Sequence, residues 1–136
     1  MSQENVELAQ AMLDAWNRRD VDSLRALSAP EVEFVNSPTA VEPGTRHGSD
    51  EVAAVAQTQW EILLDARQEV DEIYDRGAEI IVLGRLSRRM PESETRIEDR
   101  VLSSFTFHDG KATRVQVLAF GVSEVQESLK AAGLSE

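Results

Sequence analysis

The chain has 136 residues, a formal net charge of −11 and no cysteine. Its length suits one domain, residues 1–136, with room for a sizeable core. The lack of cysteine excludes disulfides and thiol chemistry, the acidic balance opposes nucleic-acid phosphates and anionic membranes, and no apolar run reaches membrane-spanning length.

Residues 3–18 read as an amphipathic helix, with Val6, Ala9, Leu13 and Trp16 in one stripe and Met12 beside them. Its polar, acidic start lacks a signal-peptide pattern, so a cytoplasmic protein is expected. Asp20 is placed to cap a short helix carrying Val21, Leu24 and Leu27, and Pro30 follows the end of that helix. Glu31–Asn36 alternates as a strand, with Val32, Phe34 and Asn36 on one face and Glu33 and Val35 on the other. Ser37–Gly48 contains two prolines and two glycines and reads as a loop. Ser49 stands as the cap of a third helix reaching about Leu64 or Asp65, with Val52, Val55, Ala56, Trp60, Leu63 and Leu64 as its stripe.

The pattern then changes to strands. Gln68–Tyr74 is one, Asp75-Arg76-Gly77 a turn, and Glu79–Met90 a long strand with Ile80, Val82, Gly84 and Leu86 on its more apolar face. Residues 90–95 form a polar loop. Two further strand runs flank His108-Asp109-Gly110. A three-residue hairpin loop would pair Phe105 with Thr113, Ser103 with Val115 and Val101 with Val117. It gathers Phe107, Phe105, Val101, Ile97, Val115, Val117 and Ala119 on one face, which a two-residue loop does not, so the longer loop is expected. Leu102, Leu118 and Phe120 then cluster on the outer face among Arg100, Arg114 and Gln116, and predict a homodimer through it. Ser123 with Gln126 predicts a capping box for a last helix that Gly133 stops.

Helices followed by a strand run predict an α+β fold, with three helices over a curved, mainly antiparallel sheet and an apolar cavity between them. Ala15-Trp-Asn-Arg-Arg-Asp-Val-Asp-Ser-Leu-Arg-Ala-Leu27 and Pro30-Glu-Val-Glu-Phe34 resemble the opening of SnoaL-like proteins in the NTF2-like superfamily. Phe105–Arg114 resembles their final hairpin and Leu129–Leu134 their tail. The resemblance implies an NTF2-like (cystatin-like) cone, an internal pocket and commonly a homodimer. It does not settle function, because the superfamily includes isomerases, cyclases, hydrolases and members without catalysis.

Three chemistries of the superfamily can be laid on the chain. The Tyr-x-Asn-x-Pro pattern of limonene epoxide hydrolase falls on Phe34-Val-Asn36-Ser-Pro38, its Arg-x-Asp near Gly84-Arg85-Leu86 and its second Asp near Val117. The carboxylate base of ketosteroid isomerase falls on Asn36, and its oxyanion pair near Met12 and Ser103. The acidic residue of SnoaL-type cyclases falls in the apolar run Val117–Phe120. In each case the expected proton carriers are replaced.

The remaining candidates are individual. Asp99, an acid on the apolar hairpin face, is either a general acid or base or the ion-pair partner of Arg88. His47 could act at the pocket mouth, although a loop histidine is more often solvated. Asn36, Phe34, Trp16, Trp60, Arg88, Ser103 and Val117 are the expected ligand contacts, with core packing the plainer reading for both tryptophans. The five arginines from Arg85 to Arg100 have Glu92, Glu94, Glu98 and Asp99 among them and read as a neutralised surface. His47 and His108 have no acidic neighbours at metal-ligand spacing, and neither metal nor cofactor is expected. The leading expectation is a protein that binds a small apolar or polyketide-like molecule. An enzyme of the same fold, and a dimerisation module with a filled core, are the alternatives.

Overall fold

The computed structural model describes residues 2–37 and 43–134. The elements run α1 (Ser2–Arg18), α2 (Val21–Leu27), β1 (Ser28–Asn36), β2 (Gly44–His47), α3 (Ser49–Ile62), β3 (Arg67–Arg76), β4 (Glu79–Arg89), β5 (Arg96–His108), β6 (Lys111–Phe120) and α4 (Val122–Ala131). The strands form a six-stranded sheet in the order β2-β1-β6-β5-β4-β3. The β1–β6 pair is parallel and the other pairs are antiparallel. This is the expected α+β architecture, with one addition. Part of the expected loop is the edge strand β2, which draws its ladder bonds from β1. The rest of that loop, residues 38–42, lies outside the described residues.

Helix ends follow local chemistry, with two corrections. The Asp20 carboxylate accepts from the Ser23 amide at 3.1 Å and the Ser23 hydroxyl at 2.6 Å, which caps α2. The hydroxyl bond, then the amide bond, holds its carboxyl below the usual range. Ser49 and Ser123 are not caps. Gly48 and Gly121 hold those positions at φ 89° and 97°, so each serine is moved into the first turn. Backbone at such φ strongly favours glycine, and that outranks a hydroxyl signal one or two residues later.

The core divides between the two sheet faces. On the inner face, Ala9, Met12 and Leu13 of α1 pack on Ile80, Val82, Phe105 and Phe107. On the outer face, α4 brings Val125 and Leu129 onto Ile81, Leu83, Leu102 and Ala119. The unbroken run Ile80-Ile-Val-Leu83 is what a strand covered on both faces requires.

The hairpin register differs from expectation. Asp109 and Gly110, both at positive φ, form a two-residue turn, with His108 paired to Lys111 and Phe107 to Ala112. The ladder then shifts between Thr106 and Phe107, leaving Thr113 over, and Phe105 pairs with Val115 and Ser103 with Val117. Phe105 and Val115 therefore share the inner face, as the apolar pattern demands. A second shift passes over Leu118 and pairs Leu102 with Ala119 and Val101 with Phe120. Ala119 is thereby turned outward under α4 and Phe120 inward. Bulges let the ladder satisfy both the tight turn and the apolar face, a combination that an unbulged register cannot offer.

Two contacts set how β3 closes the far edge. A bulge between Val70 and Glu72 pairs Val70 with Gly84 and Glu72 with Leu83. It presses the Glu69 carbonyl to 2.3 Å from where a Cβ on Gly84 would stand. The Asn17 side chain of α1 then clasps Gln68 on this edge strand. It donates to the Gln68 carbonyl and accepts from the Gln68 amide, each at 2.8 Å. Gly84→Ala is expected to lower unfolding stability by about 1–3 kcal/mol, because backbone must move to admit the methyl. Thermal unfolding followed by circular dichroism measures it, and an unchanged midpoint would refute the close approach.

Candidate functional site

The inner core fills one part of the space between helices and sheet. Beside it lies a cavity of about 590 Å³, within the usual range for small-molecule sites. Each wall follows from strand or helix periodicity. Val101, Ser103 and Phe105 alternate along β5 and face Val115, Val117 and Phe120 of β6. Phe34 and Asn36 come from β1, Leu86 and Arg88 from β4. Met12 and Trp16 of α1 and Ala53, Ala56 and Gln59 of α3 form the helical side. A fully packed core, as a pure dimerisation module would have, is not what the chain forms.

Most residues expected at the site meet there: Phe34, Asn36, Trp16, Arg88, Ser103 and Val117 all line the cavity. Trp60 does not. It stands against Trp16, ring centroids 6.1 Å apart at 53°, within the cluster of Ala56, Leu63 and Ala66. Its Nε1 is buried with no hydrogen-bond partner among the described residues. His47 also lies elsewhere, exposed on β2, where its Nδ1 is 3.3 Å from Glu33 Oε2 and its backbone amide donates to Glu51. Neither catalytic candidate reaches the wall. Asp99 is held by Arg88, Nη1 to Oδ2 at 3.0 Å, and only Arg88 contributes to the lining. The condition for Asp99 to act as an acid or base, an open approach beyond reach of Arg88, is not met.

Several wall residues escaped the sequence reading. Phe120 was hidden by the second β-bulge. Gln59 falls at helical spacing within the stripe Val52, Ala56 and Leu63, a signal its polar side chain masked. Its Oε1 accepts from Trp16 Nε1 at 3.1 Å, which orients both side chains. The Ser103 hydroxyl, in a residue only 8% exposed, has no hydrogen-bond partner among the described residues. Among those residues, no Asp, Glu, His, Lys or Tyr lines the cavity, and its charged side chains are Arg25, Arg88 and Arg89. Met12, Asn36, Ser103, Leu86 and Val117, where the superfamily resemblance places proton carriers, are all on the wall.

A SnoaL-like domain model matches residues 9–115. The chain belongs to the SnoaL-like family. Among solved structures, this SnoaL-like chain is similar to an NTF2-like protein of unknown function from Burkholderia pseudomallei, with TM-score 0.76 and 23% identity, covering 91% of this chain and 95% of that one. It is similar to a hypothetical protein with a ketosteroid isomerase-like fold from Catenulispora acidiphila, solved with trimethylamine, with TM-score 0.74, 16% identity and 95% and 94% covered. An LEH-like epoxide hydrolase from M. tuberculosis gives TM-score 0.73, 17% identity and 95% and 91% covered. At such identities the likeness is one of fold. No curated protein sequence matches the chain.

Arg88 and Asp99 are each about 30% exposed at the side chain, 31% and 28%, so their pairing is partly shielded from solvent. In a double-mutant cycle, Asp99→Asn and Arg88→Met should each lower the melting temperature, with a coupling on the order of 1 kcal/mol. Additive effects would show that the pair contributes nothing to the fold.

Proposed function

We propose that this SnoaL-like chain is a cytoplasmic small-molecule-binding protein whose cavity holds a mostly apolar ligand and does no acid–base chemistry on it. One observation carries the reading: among the described residues, the cavity wall offers apolar surface and hydrogen bonds but no side chain that exchanges a proton near neutral pH. General acid–base catalysis typically supplies about 10²–10⁴-fold, and an epoxide or a ketosteroid would find no group here to begin it. A polyketide-like molecule suits such a wall.

Phenylnaphthylamine, a neutral probe that fluoresces in apolar surroundings, is expected to bind with a stoichiometry near one. Val117→Trp should abolish binding while keeping the far-ultraviolet circular dichroism, because the indole would occupy the cavity. Native mass spectrometry of protein purified from its host should show a retained small molecule. No probe binding together with an unliganded native mass would refute the proposal.

A homodimer through the outer sheet face belongs to the same reading, on a smaller surface than first expected. Leu102 lies under α4 and Phe120 lines the cavity, so neither is available outside. Half-buried Leu118 and Val35 remain, with Val122 exposed at the start of α4. Sedimentation at tens of micromolar is expected to show a dimer if its affinity is micromolar. A monomer at that concentration would remove the dimer from the proposal.

A further inference from the structure

We infer that the molecule this cavity takes is an elongated organic acid, its anionic group bound by Arg88 and its far end by Ser103. The inference rests on the binding reading above and adds the charge and length of the ligand. The chain carries 25 acidic residues against 14 basic ones, yet among the described residues the charged side chains lining the cavity are all arginines. A cationic ligand would meet no carboxylate on that wall.

Arg88 is the arginine poised to act. Arg25 pairs with Asp50 in solvent, and Arg89 Nη1 donates to the Ser93 carbonyl. Arg88 meets Asp99 through one nitrogen, Nη1. A guanidinium has five N–H donors in a planar fork, so most of its donors stay uncommitted among the described residues. Asp99 is not part of the lining, so a ligand meets the guanidinium first. Asp99 is therefore a positioning residue: it fixes the rotamer of a long side chain before a ligand arrives. A neutral apolar ligand would desolvate those donors without pairing them, a direct cost. A carboxylate or similar oxyanion would accept two of them side by side.

The length follows from the strand. On β5, Asp99 and Ser103 share the inner face four residues apart, which is roughly 13 Å at the rise of a strand. Val101 lies between them, and Leu86 of β4 and Val117 of β6 add to the same wall. An acid at one end, an apolar middle and a hydroxyl or carbonyl at the other end match this spacing. The Ser103 hydroxyl can donate to or accept from that distal oxygen.

The test uses two probes that share a skeleton: phenylnaphthylamine, which is neutral, and anilinonaphthalene sulfonate, which carries one sulfonate. In the wild-type protein, each should displace the other. Arg88→Met should weaken the sulfonate by at least about tenfold, the size of a lost charge-assisted hydrogen bond, and leave the neutral probe bound at least as tightly as before. Asp99→Asn, which keeps an acceptor for Arg88 Nη1 and removes only the negative charge, should bind the sulfonate at least as tightly, whereas Asp99→Ala, which releases the Arg88 rotamer, should bind it more weakly than Asp99→Asn does. Rising salt should weaken the sulfonate and not the neutral probe. If Arg88→Met fails to fold, Arg88→Lys and the wild-type salt series decide the question. Failure of the neutral probe to bind would refute the cavity reading itself. A bound neutral probe with sulfonate binding indifferent to Arg88 and to salt, or with no mutual displacement, would overturn the anion inference alone.

Discussion

The close approach of the Glu69 carbonyl to Gly84 is the constraint on which the rest of the molecule depends. A side chain at 84 would hold β3 away from β4. Without one, the bulge at β3 lets the edge strand ride over its neighbour. Bulges strengthen local twist and bend the strand that carries them. Two further bulges in β6 act at the other side of β5. A sheet bent in this way cannot be filled along its length by helices of fixed diameter. α1 fills one part of the concavity with Ala9, Met12 and Leu13, and the rest is left as the cavity. The Asn17 clasp on Gln68 ties α1 to the edge that the bulge has displaced, so helix position and sheet curvature hold each other.

Charge is sorted by face. On the outer side, Arg85 lies among Asp71, Glu69 and Glu98 at 3.0–3.3 Å. Asp71, first by its charge and then by its hydrogen bond, raises the Arg85 pKa further above its already high value. Such exposed pairs contribute little to stability individually, and α4 covers the apolar centre of the same face. The cavity side is different: among the described residues its charged side chains are all basic, and they sit among aliphatic and aromatic ones. The frame of the SnoaL-like family is thus kept around a wall that includes Met12, Asn36, Ser103, Leu86 and Val117.

Periodicity made much of this legible in advance. The stripe Val6, Ala9, Leu13 and Trp16, the Asp20 cap and the alternation of Val32, Phe34 and Asn36 each depend on neighbours in sequence. Local physics therefore reports them, and strand and helix alternation placed Phe34, Trp16 and Arg88 on the cavity wall, while the superfamily resemblance pointed to Asn36, Ser103 and Val117 there. The α+β order of elements came from the same source, whereas the likeness to SnoaL-like proteins was carried by particular stretches, such as Ala15–Leu27 and Phe105–Arg114. Where the reading failed, the deciding term was not local. Ser49 and Ser123 lost the cap positions to glycines whose φ is set by how the chain enters each helix. His47 could have stood at the mouth or in solvent, and pairing of β2 with β1 decided for solvent, beside Glu33.

What the sequence alone determined was the kind and order of the elements and the apolar face that each would bury, because those depend on side-chain spacing within a few residues. Only the tertiary structure decided the bulges, and with them that Phe120 faces inward, Ala119 outward, and that α4 covers the surface expected to join two chains. It also decided that Asp99 lies behind Arg88 and not in front of it. A ladder shift of one residue costs little in local propensity, yet it exchanges the two faces of a strand. Only the summed packing of helices on both sides of the sheet selects one answer.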